Sequence, residues 1–214
     1  IYLRTVGRLN CVWATFNEAM KKAEAAATPE ARRDLARGTV LPIRREMVRL
    51  TGEVYRHLLS HVSTTGELGT VANWEQHNLP GLLLKPGEKL AAMLGQPLPP
   101  DAMPGKDYTG PPRLFVPVAR TSVCEGEPLR LKAILLSQTQ PQEVTVLHRS
   151  LGTGRWVSTN MNHAGRGVYR AELPAAALAD GAIEYYIQAG NASTALRWPP
   201  TAPKLSQSVV VVPK

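Results

Sequence analysis

Apolar residues recur at helical spacing along the N-terminal part of the chain. Between residues 2 and 27 they fall every three or four positions, as one face of an α-helix requires, at Leu3, Val6, Leu9, Trp13, Phe16, Met20 and Ala23. A second stripe with the same period consists of Leu35, Val40, Ile43, Met47, Leu50, Val54, Leu58 and Val62. The two stripes predict a helical hairpin whose apolar faces bury mainly each other and leave some surface for a further partner.

Local signals mark where the second of these helices begins and bends. Thr28-Pro29-Glu30 combines an N-capping side chain, a proline at the first helical position and an acid in the first turn, so a helix is expected to begin there. Gly38 and Pro42 interrupt the stripe. Either residue would kink or divide the helix, because glycine lowers its stability and proline lacks a backbone donor.

The helical period disappears after the second stripe. Residues 63–85 show no regular spacing, which predicts an ordered loop with at most one short turn of helix. Pro86 then begins a short predicted helix that runs through Met93 and is closed by Gly95. The following stretch, 96–112, is rich in proline and has no period, so it predicts a linker.

In the C-terminal half the apolar period changes to that of a strand. Alternating runs appear at Leu129, Leu131, Ala133 and Leu135, at Val144, Val146 and His148, and at Ile183, Tyr185 and Ile187. Glycine-containing turns at 152–154 and 165–167 recur at a spacing typical of a β-sandwich. The predicted fold class is α+β: an N-terminal helical hairpin region over 1–95, a Pro-rich linker over 96–112 and an immunoglobulin-like antiparallel β-sandwich over 113–214.

The net charge of +8 does not indicate a nucleic-acid surface. Residues 1–112 carry 14 lysines and arginines against 11 acids, and residues 113–214 carry 11 against 6, so the excess is spread over both parts. Basic residues do not alternate with aromatic ones, as they do in grooves for single strands. No apolar run is long enough to span a membrane. We therefore expect neither a nucleic acid nor a membrane as partner.

Histidines and cysteines lack the spacing of metal sites. Cys11 and Cys124 are far apart in the sequence and are expected to be free, although a bridge between them is permitted. His57 and His61 form an i,i+4 pair, but a third ligand is missing and Leu-Leu-Ser separates them. The sequence therefore predicts no metal site, no cofactor and no catalytic constellation on this chain.

The densest cluster of polar and aromatic residues lies in the predicted loop. It comprises Glu67, Asn73, Trp74, Glu75, Gln76, His77 and Asn78. Paired carboxylates beside an aromatic platform suit glycoside chemistry and sugar stacking. The same residues also suit a purely structural role, with Asn73 as a helix cap, Glu75 in the first turn and Trp74 in the core. A third alternative is contact with the site of a neighbouring domain.

A second candidate surface is aromatic and belongs to the sandwich. Its members are Trp156, Trp198, Tyr169, Tyr185 and Tyr186. A sandwich core also needs aromatic residues, and strand alternation predicts that only one of Tyr185 and Tyr186 points inward. If Trp198 shares a face with the outward tyrosine, the two rings would form a surface on which a sugar stacks.

Two segments of the sandwich carry a family resemblance. They are Val168-Tyr169-Arg170-Ala171-Glu172-Leu173-Pro174 and Ile183-Glu184-Tyr185-Tyr186-Ile187-Gln188-Ala189, preceded by His148-Arg149 and Gly152-Thr153-Gly154-Arg155-Trp156. This pattern resembles the immunoglobulin-like or fibronectin-III-like modules of large bacterial extracellular enzymes. A helical hairpin directly before such a module is similar to the region that follows the catalytic barrel of some multidomain glycoside hydrolases.

The resemblance implies a non-catalytic, C-terminal accessory region of a secreted carbohydrate-active hydrolase. It further implies an upstream catalytic domain as partner, a polysaccharide as possible ligand, and an extracellular or periplasmic location. The chain begins at Ile1 inside a helical pattern, so we expect it to be part of a longer polypeptide. The alternative is an autonomous module that binds glycan or protein through exposed aromatic residues. Because no barrel is present, no catalytic carboxylate can be transferred to this chain.

Overall fold

The chain is an α+β protein with N-terminal helices and a C-terminal β-sandwich, which confirms the predicted fold class. The computed structural model describes residues 1–105, 107–139, 143–190 and 195–214. Contacts between Cα atoms divide the chain into two units. The helical unit comprises Ile1–Val62 and Gly66–Asp107, and the sandwich unit comprises Ser63–Thr65 and Tyr108–Lys214.

The helical unit is built from α-helices, some of them joined by π-helical segments. The helices are α1 (Tyr2–Glu24), α2 (Pro29–Leu35), α3 (Leu41–His61), α4 (Thr65–Asn73) and α5 (Lys85–Leu94). The hydroxyl of Thr28 accepts a hydrogen bond from the amide of Ala31 at 3.1 Å, which confirms the predicted N-cap. Gly95 ends α5 in the left-handed conformation (φ 68°), as the sequence predicts.

Three π-helical segments, Ala36–Val40, Trp74–Asn78 and Pro80–Leu84, share one sequence feature. Each ends two residues before a proline, namely Pro42, Pro80 and Pro86. Proline cannot donate to the carbonyl four residues earlier, and its ring collides with that carbonyl in a regular α-helix. A wider turn accommodates the ring without ending the helix. The predicted interruption at Pro42 is therefore a π-turn.

The loop predicted over 63–85 is wrong, because the segment is helical from Thr65 onward. Its partly or fully buried apolar residues do follow helical spacing, but the two π-turns shift the register. Few of them reach the core, so the stripe is weak; they are Leu68, Val71, Trp74, Leu79, Leu82 and Leu83.

The stripe of α1 is only partly buried. Phe16, at 0% exposure, and Leu9 lie in the core of the helical unit, as predicted. Leu3 and Trp13 remain 79% and 40% exposed, which corrects their assignment to the buried face. Because residues along a helix advance by about 100° each, these two side chains lie roughly 140° and 60° away from Phe16.

One buried charge connects the end of the helical unit to α3. Arg44 is 1% exposed, and its Nε donates to the carbonyl of Ala102 at 3.1 Å. Burial lowers the pKa of Arg44 to about 10, so the side chain stays charged at neutral pH. The short 3₁₀ turn Pro100–Ala102 is thereby attached to α3. The predicted linker, 96–112, contains this packed turn; its Lys106 lies outside the described residues.

The sandwich unit consists of two sheets over the described residues. The strands are β1 Arg113–Phe115, β2 Ser122–Cys124, β3 Leu129–Leu136, β4 Val144–Ser150, β5 Val157–Asn160, β6 Asn162–Gly165, β7 Val168–Leu173, β8 Ala182–Ala189, β9 Leu196–Trp198 and β10 Gln207–Val212. The four-stranded sheet has the order β1-β3-β7-β6, and the six-stranded sheet has the order β2-β10-β8-β4-β5, with β9 paired to β8. All pairs are antiparallel except β2 with β10, which is parallel.

The alternation predicted for the strands is confirmed at its central positions. The side chains that fill the space between the sheets include Leu129, Leu131, Ala133, Leu135, Val144, Val146, Ile183, Tyr185 and Ile187. Alternate residues of the same strands point to the outer faces. The outer faces therefore hold the side chains that a ligand or partner of this unit could reach.

Candidate functional site

The predicted polar and aromatic cluster lies along one continuous helical stretch. Glu67 is in α4, Asn73 is its last residue, and Trp74, Glu75 and His77 follow in the π-helical segment Trp74–Asn78. Glu67, Asn73, Glu75 and His77 are exposed, whereas Trp74 is half-buried. The structure thus brings the last four of these residues together on neighbouring turns, while Glu67 lies further toward the N-terminal end of α4.

Trp74 packs against a residue that the sequence did not single out. The ring of Tyr55, on α3, meets the indole edge-on, with 6.2 Å between centroids and 77° between planes. The Tyr55 hydroxyl is buried and has no hydrogen-bond partner among the described residues. Burial, with a further contribution from the Glu75 carboxylate, raises the pKa of Tyr55 to about 12. The site therefore places a buried, uncharged phenol near an exposed carboxylate.

Trp74 packs against the helical core and does not form an open platform for stacking. It lies against the buried cluster of the helical unit, together with its contact to Tyr55. The arrangement supports polar contact with another molecule through Asn73, Glu75 and His77, which remain at the surface. A role for these residues in binding stays a prediction.

Trp198 lies on the inner side of the six-stranded sheet. It pairs in register with Ile187, packs against the sandwich core, and has its ring centroid 6.1 Å from that of Tyr185. Tyr186 points to the opposite face, so Trp198 and the outward tyrosine do not form a common stacking surface. The prediction that only one of the two tyrosines points inward is therefore confirmed, although the outward Tyr186 is also only 6% exposed.

A cluster on the outer face of the six-stranded sheet explains the burial of Tyr186. The indole of Trp156 covers its ring edge-on, with centroids 4.8 Å apart and planes at 79°. The guanidinium carbon of Arg149 lies 4.3 Å from the centroid of the same indole. Arg149 in turn donates from Nε to an oxygen of Glu184 at 2.8 Å. The sequence could not reveal this cluster because Arg149 and Glu184 meet only through the strand register.

Glu184 accepts hydrogen bonds from several directions. Besides Arg149, the amide of Gly152 donates to it at 3.2 Å and the hydroxyl of Ser206 donates to its second oxygen. Burial alone would raise the pKa of Glu184, but these donors and the positive charge of Arg149 outweigh it and lower the pKa from its ordinary value of 4.5. Glu184 is therefore charged at neutral pH and binds Arg149, which in turn lies against the ring of Trp156.

We expect the Glu184 network to make the stability of the sandwich unit fall with acidification. Because the folded-state pKa lies below 4.5, the stabilisation is present above that pH and is lost as the pH falls through the folded value. Glu184→Gln should cost about 2 kcal/mol at neutral pH, and the difference from the unmodified chain should shrink in acid. Urea unfolding measured across pH tests this.

The matched control for that measurement is Glu172→Gln. Glu172 pairs with Arg130 at 2.9 Å, but both side chains are more than half exposed. Such a surface pair is worth about 0.5 kcal/mol or less. Equal losses for the two variants would contradict a special role for Glu184.

The described cysteines and histidines do not converge. Cys11 and Cys124 are both free. His61 Nδ1 lies 2.8 Å from the carbonyl of His57, so that ring nitrogen is engaged with the backbone of its own helix. Across the described ranges, no three potential ligands among histidine, cysteine, aspartate and glutamate come close enough for a metal ion. None of the helices in those ranges has the length and apolar character to cross a membrane.

Comparison with known proteins gives a distant structural likeness. Searches against protein-family models and against curated proteins give no match. Among solved structures, the endo-β-1,4-mannanase from Thermotoga petrophila matches with a TM-score of 0.37 and 13% sequence identity. The match covers 59% of this chain and 24% of the mannanase chain. No residue and no activity is transferred from it.

Proposed function

We propose that this chain is a non-catalytic accessory region of a larger secreted carbohydrate-active hydrolase. In this proposal the helical unit packs against the catalytic domain, and the sandwich supports or spaces that domain. The location would be extracellular or periplasmic. The exposure of Trp13 at the edge of the buried side of α1 is the observation that carries the proposal.

The surface of α1 has the character expected of a contact with another folded domain. Phe16 and Met20 are buried in the helical core, whereas Leu3 and Trp13 are at the surface. Tryptophan is among the side chains that contribute most to protein interfaces, since it removes a large apolar area from water with little loss of side-chain freedom. Val6, which lies between them on the helix surface, is only half-buried.

The exposed polar residues of the α4 region would provide a second contact. Asn73, Glu75 and His77 offer hydrogen-bonding groups at the surface, and Trp74 holds their turn against the helical core. We propose that they meet the catalytic domain near its substrate, where a polysaccharide would pass. Glu67, toward the N-terminal end of α4, belongs to the same hypothesis.

The proposal predicts that Trp13→Ala weakens association with the upstream catalytic polypeptide by about ten-fold or more. The upstream polypeptide is produced separately from the same gene, and its binding to this chain is measured by titration calorimetry. Leu84→Ala is the matched control, because Leu84 is an apolar residue of the helical unit with similar exposure, 42% against 40%. It should leave the affinity unchanged.

Two results would contradict the accessory role. One is hydrolysis of glycans by this chain alone, measured by the release of reducing ends. The other is an equal effect of the Trp13 and Leu84 substitutions on association. Circular dichroism of both variants ensures that neither result comes from unfolding.

A further inference from the structure

Two positive side chains stand directly opposite each other on the four-stranded sheet. Lys132 of β3 is in register with Arg170 of β7, and Arg170 is in register with Asn162 of β6. Their strand neighbours Leu131 and Tyr169 are in the core, so all three of these polar side chains point to the outer face. Lys132, Arg170 and Asn162 are exposed.

This arrangement is unfavourable for folding. Like charges directly opposite each other on adjacent strands destabilise a sheet, because their side chains lie only about 5 Å apart. The acid closest in register, Glu172, is already paired with Arg130 at 2.9 Å in the next row. Neither Lys132 nor Arg170 has an ion-pair partner within the described part of the chain. An external anion would remove the repulsion.

We propose that the outer face around Lys132 and Arg170 binds a carboxylate-bearing polysaccharide, such as a polymer of uronic acid. The inference rests on the proposed function for its saccharide partner, and it adds the charge of that saccharide and the place where it binds. Lys132 and Arg170 can each form an ion pair with a carboxylate group of the polysaccharide. The amide of Asn162 can bond to hydroxyl groups beside them.

The composition of this face favours an acidic polysaccharide over a nucleic acid. Glu172, in the row next to Lys132 and Arg170, can accept hydrogen bonds from sugar hydroxyls. The row formed by Lys132, Arg170 and Asn162 contains no aromatic residue on which a base could stack. Two uncompensated cations also suit a ligand with a low density of charge better than a polyphosphate.

The test is a titration of the full chain with polygalacturonate at low ionic strength. We expect binding that weakens as salt is added, and Lys132→Glu and Arg170→Glu should each reduce the affinity by about ten-fold or more. Lys204→Glu makes the same change in net charge at an exposed residue outside the strands. This control should keep the affinity within about two-fold.

A stability measurement excludes unfolding as the cause of lost binding. Lys132→Glu places opposite charges across the strand pair, so this variant should unfold at a slightly higher temperature than the unmodified chain. Binding that is lost while stability is gained supports the proposal. A fall in both would overturn it.

Three further outcomes would overturn the inference. They are no binding of polygalacturonate at low salt, an equal loss of affinity in Lys204→Glu, and tighter binding of duplex DNA that depends on the same two cations. The association test with Trp13 is independent of this face. If polygalacturonate binds this chain but the catalytic polypeptide does not, only the accessory role is contradicted. If the catalytic polypeptide binds but polygalacturonate does not, only the proposal of an acidic ligand is contradicted.

Discussion

Gly167→Ala is expected to destabilise the sandwich unit by about 4 kcal/mol. Gly167 has φ of 78°, and a Cβ atom built on it would lie 2.3 Å from the carbonyl oxygen of Leu135. That oxygen belongs to a central strand, and the amide of Leu135 donates to the Gly167 carbonyl at 2.8 Å. Since both partners are backbone held by the β3–β7 pairing, neither can move aside without breaking it.

The variant Gly126→Ala measures the free-energy cost of the left-handed backbone conformation without the contact to Leu135. Gly126 has nearly the same φ, 79°, in the same unit, but a Cβ there would meet no atom within 4 Å. The left-handed conformation alone should cost about 1 to 2 kcal/mol. Urea unfolding followed by near-ultraviolet circular dichroism gives both values, and equal losses would show that the Leu135 contact does not matter.

The turn that contains Gly167 illustrates how much of a structure the sequence can specify. The Gly165-Arg166-Gly167 segment is recognisable as a turn from its residue types, and the structure does place a turn there between β6 and β7. The approach of Leu135 to Gly167 depends on how β3 pairs with β7, over 30 residues away in sequence. Local chemistry therefore predicts the turn but not which of its glycines is indispensable.

A helix can be predicted from the spacing of its apolar residues only where its turns are regular α-helical turns. The N-cap at Thr28 and the left-handed Gly95 follow from local chemistry, and both are found. Residues 65–84 lost their period because successive π-turns, each preceding a proline, displace the apolar positions. Apolar spacing that widens ahead of each proline is the signal in the sequence that predicts this helical segment.

The surface clusters depend on strand register, which residue spacing alone does not determine. Arg149 and Glu184 are opposite each other, as are Lys132 and Arg170, yet each pair is more than 30 residues apart in sequence. The first pair attracts and supports Trp156, and the second repels. Alternation identified these side chains only as outward-facing, whereas the register determines which of them meet.

Phe16→Ala should cost the helical unit about 3 to 5 kcal/mol. Phe16 is fully buried in the cluster formed by α1, α3 and α5, so its removal leaves a cavity that rigid neighbouring helices cannot fill. Trp13→Ala, three residues earlier on the same helix, removes a larger side chain that is already 40% exposed. Its cost should be about 1 kcal/mol or less, because most surface substitutions have small effects.

The comparison of these two variants decides what Trp13 contributes. Thermal and urea unfolding, followed by the helical circular-dichroism signal, give the two losses directly. A small loss for Trp13→Ala means that the indole is not needed for the fold, so a weakened association with the catalytic polypeptide can be attributed to a lost contact. A loss as large as that of Phe16→Ala would instead make Trp13 part of the helical core, and the main support for the accessory role would disappear.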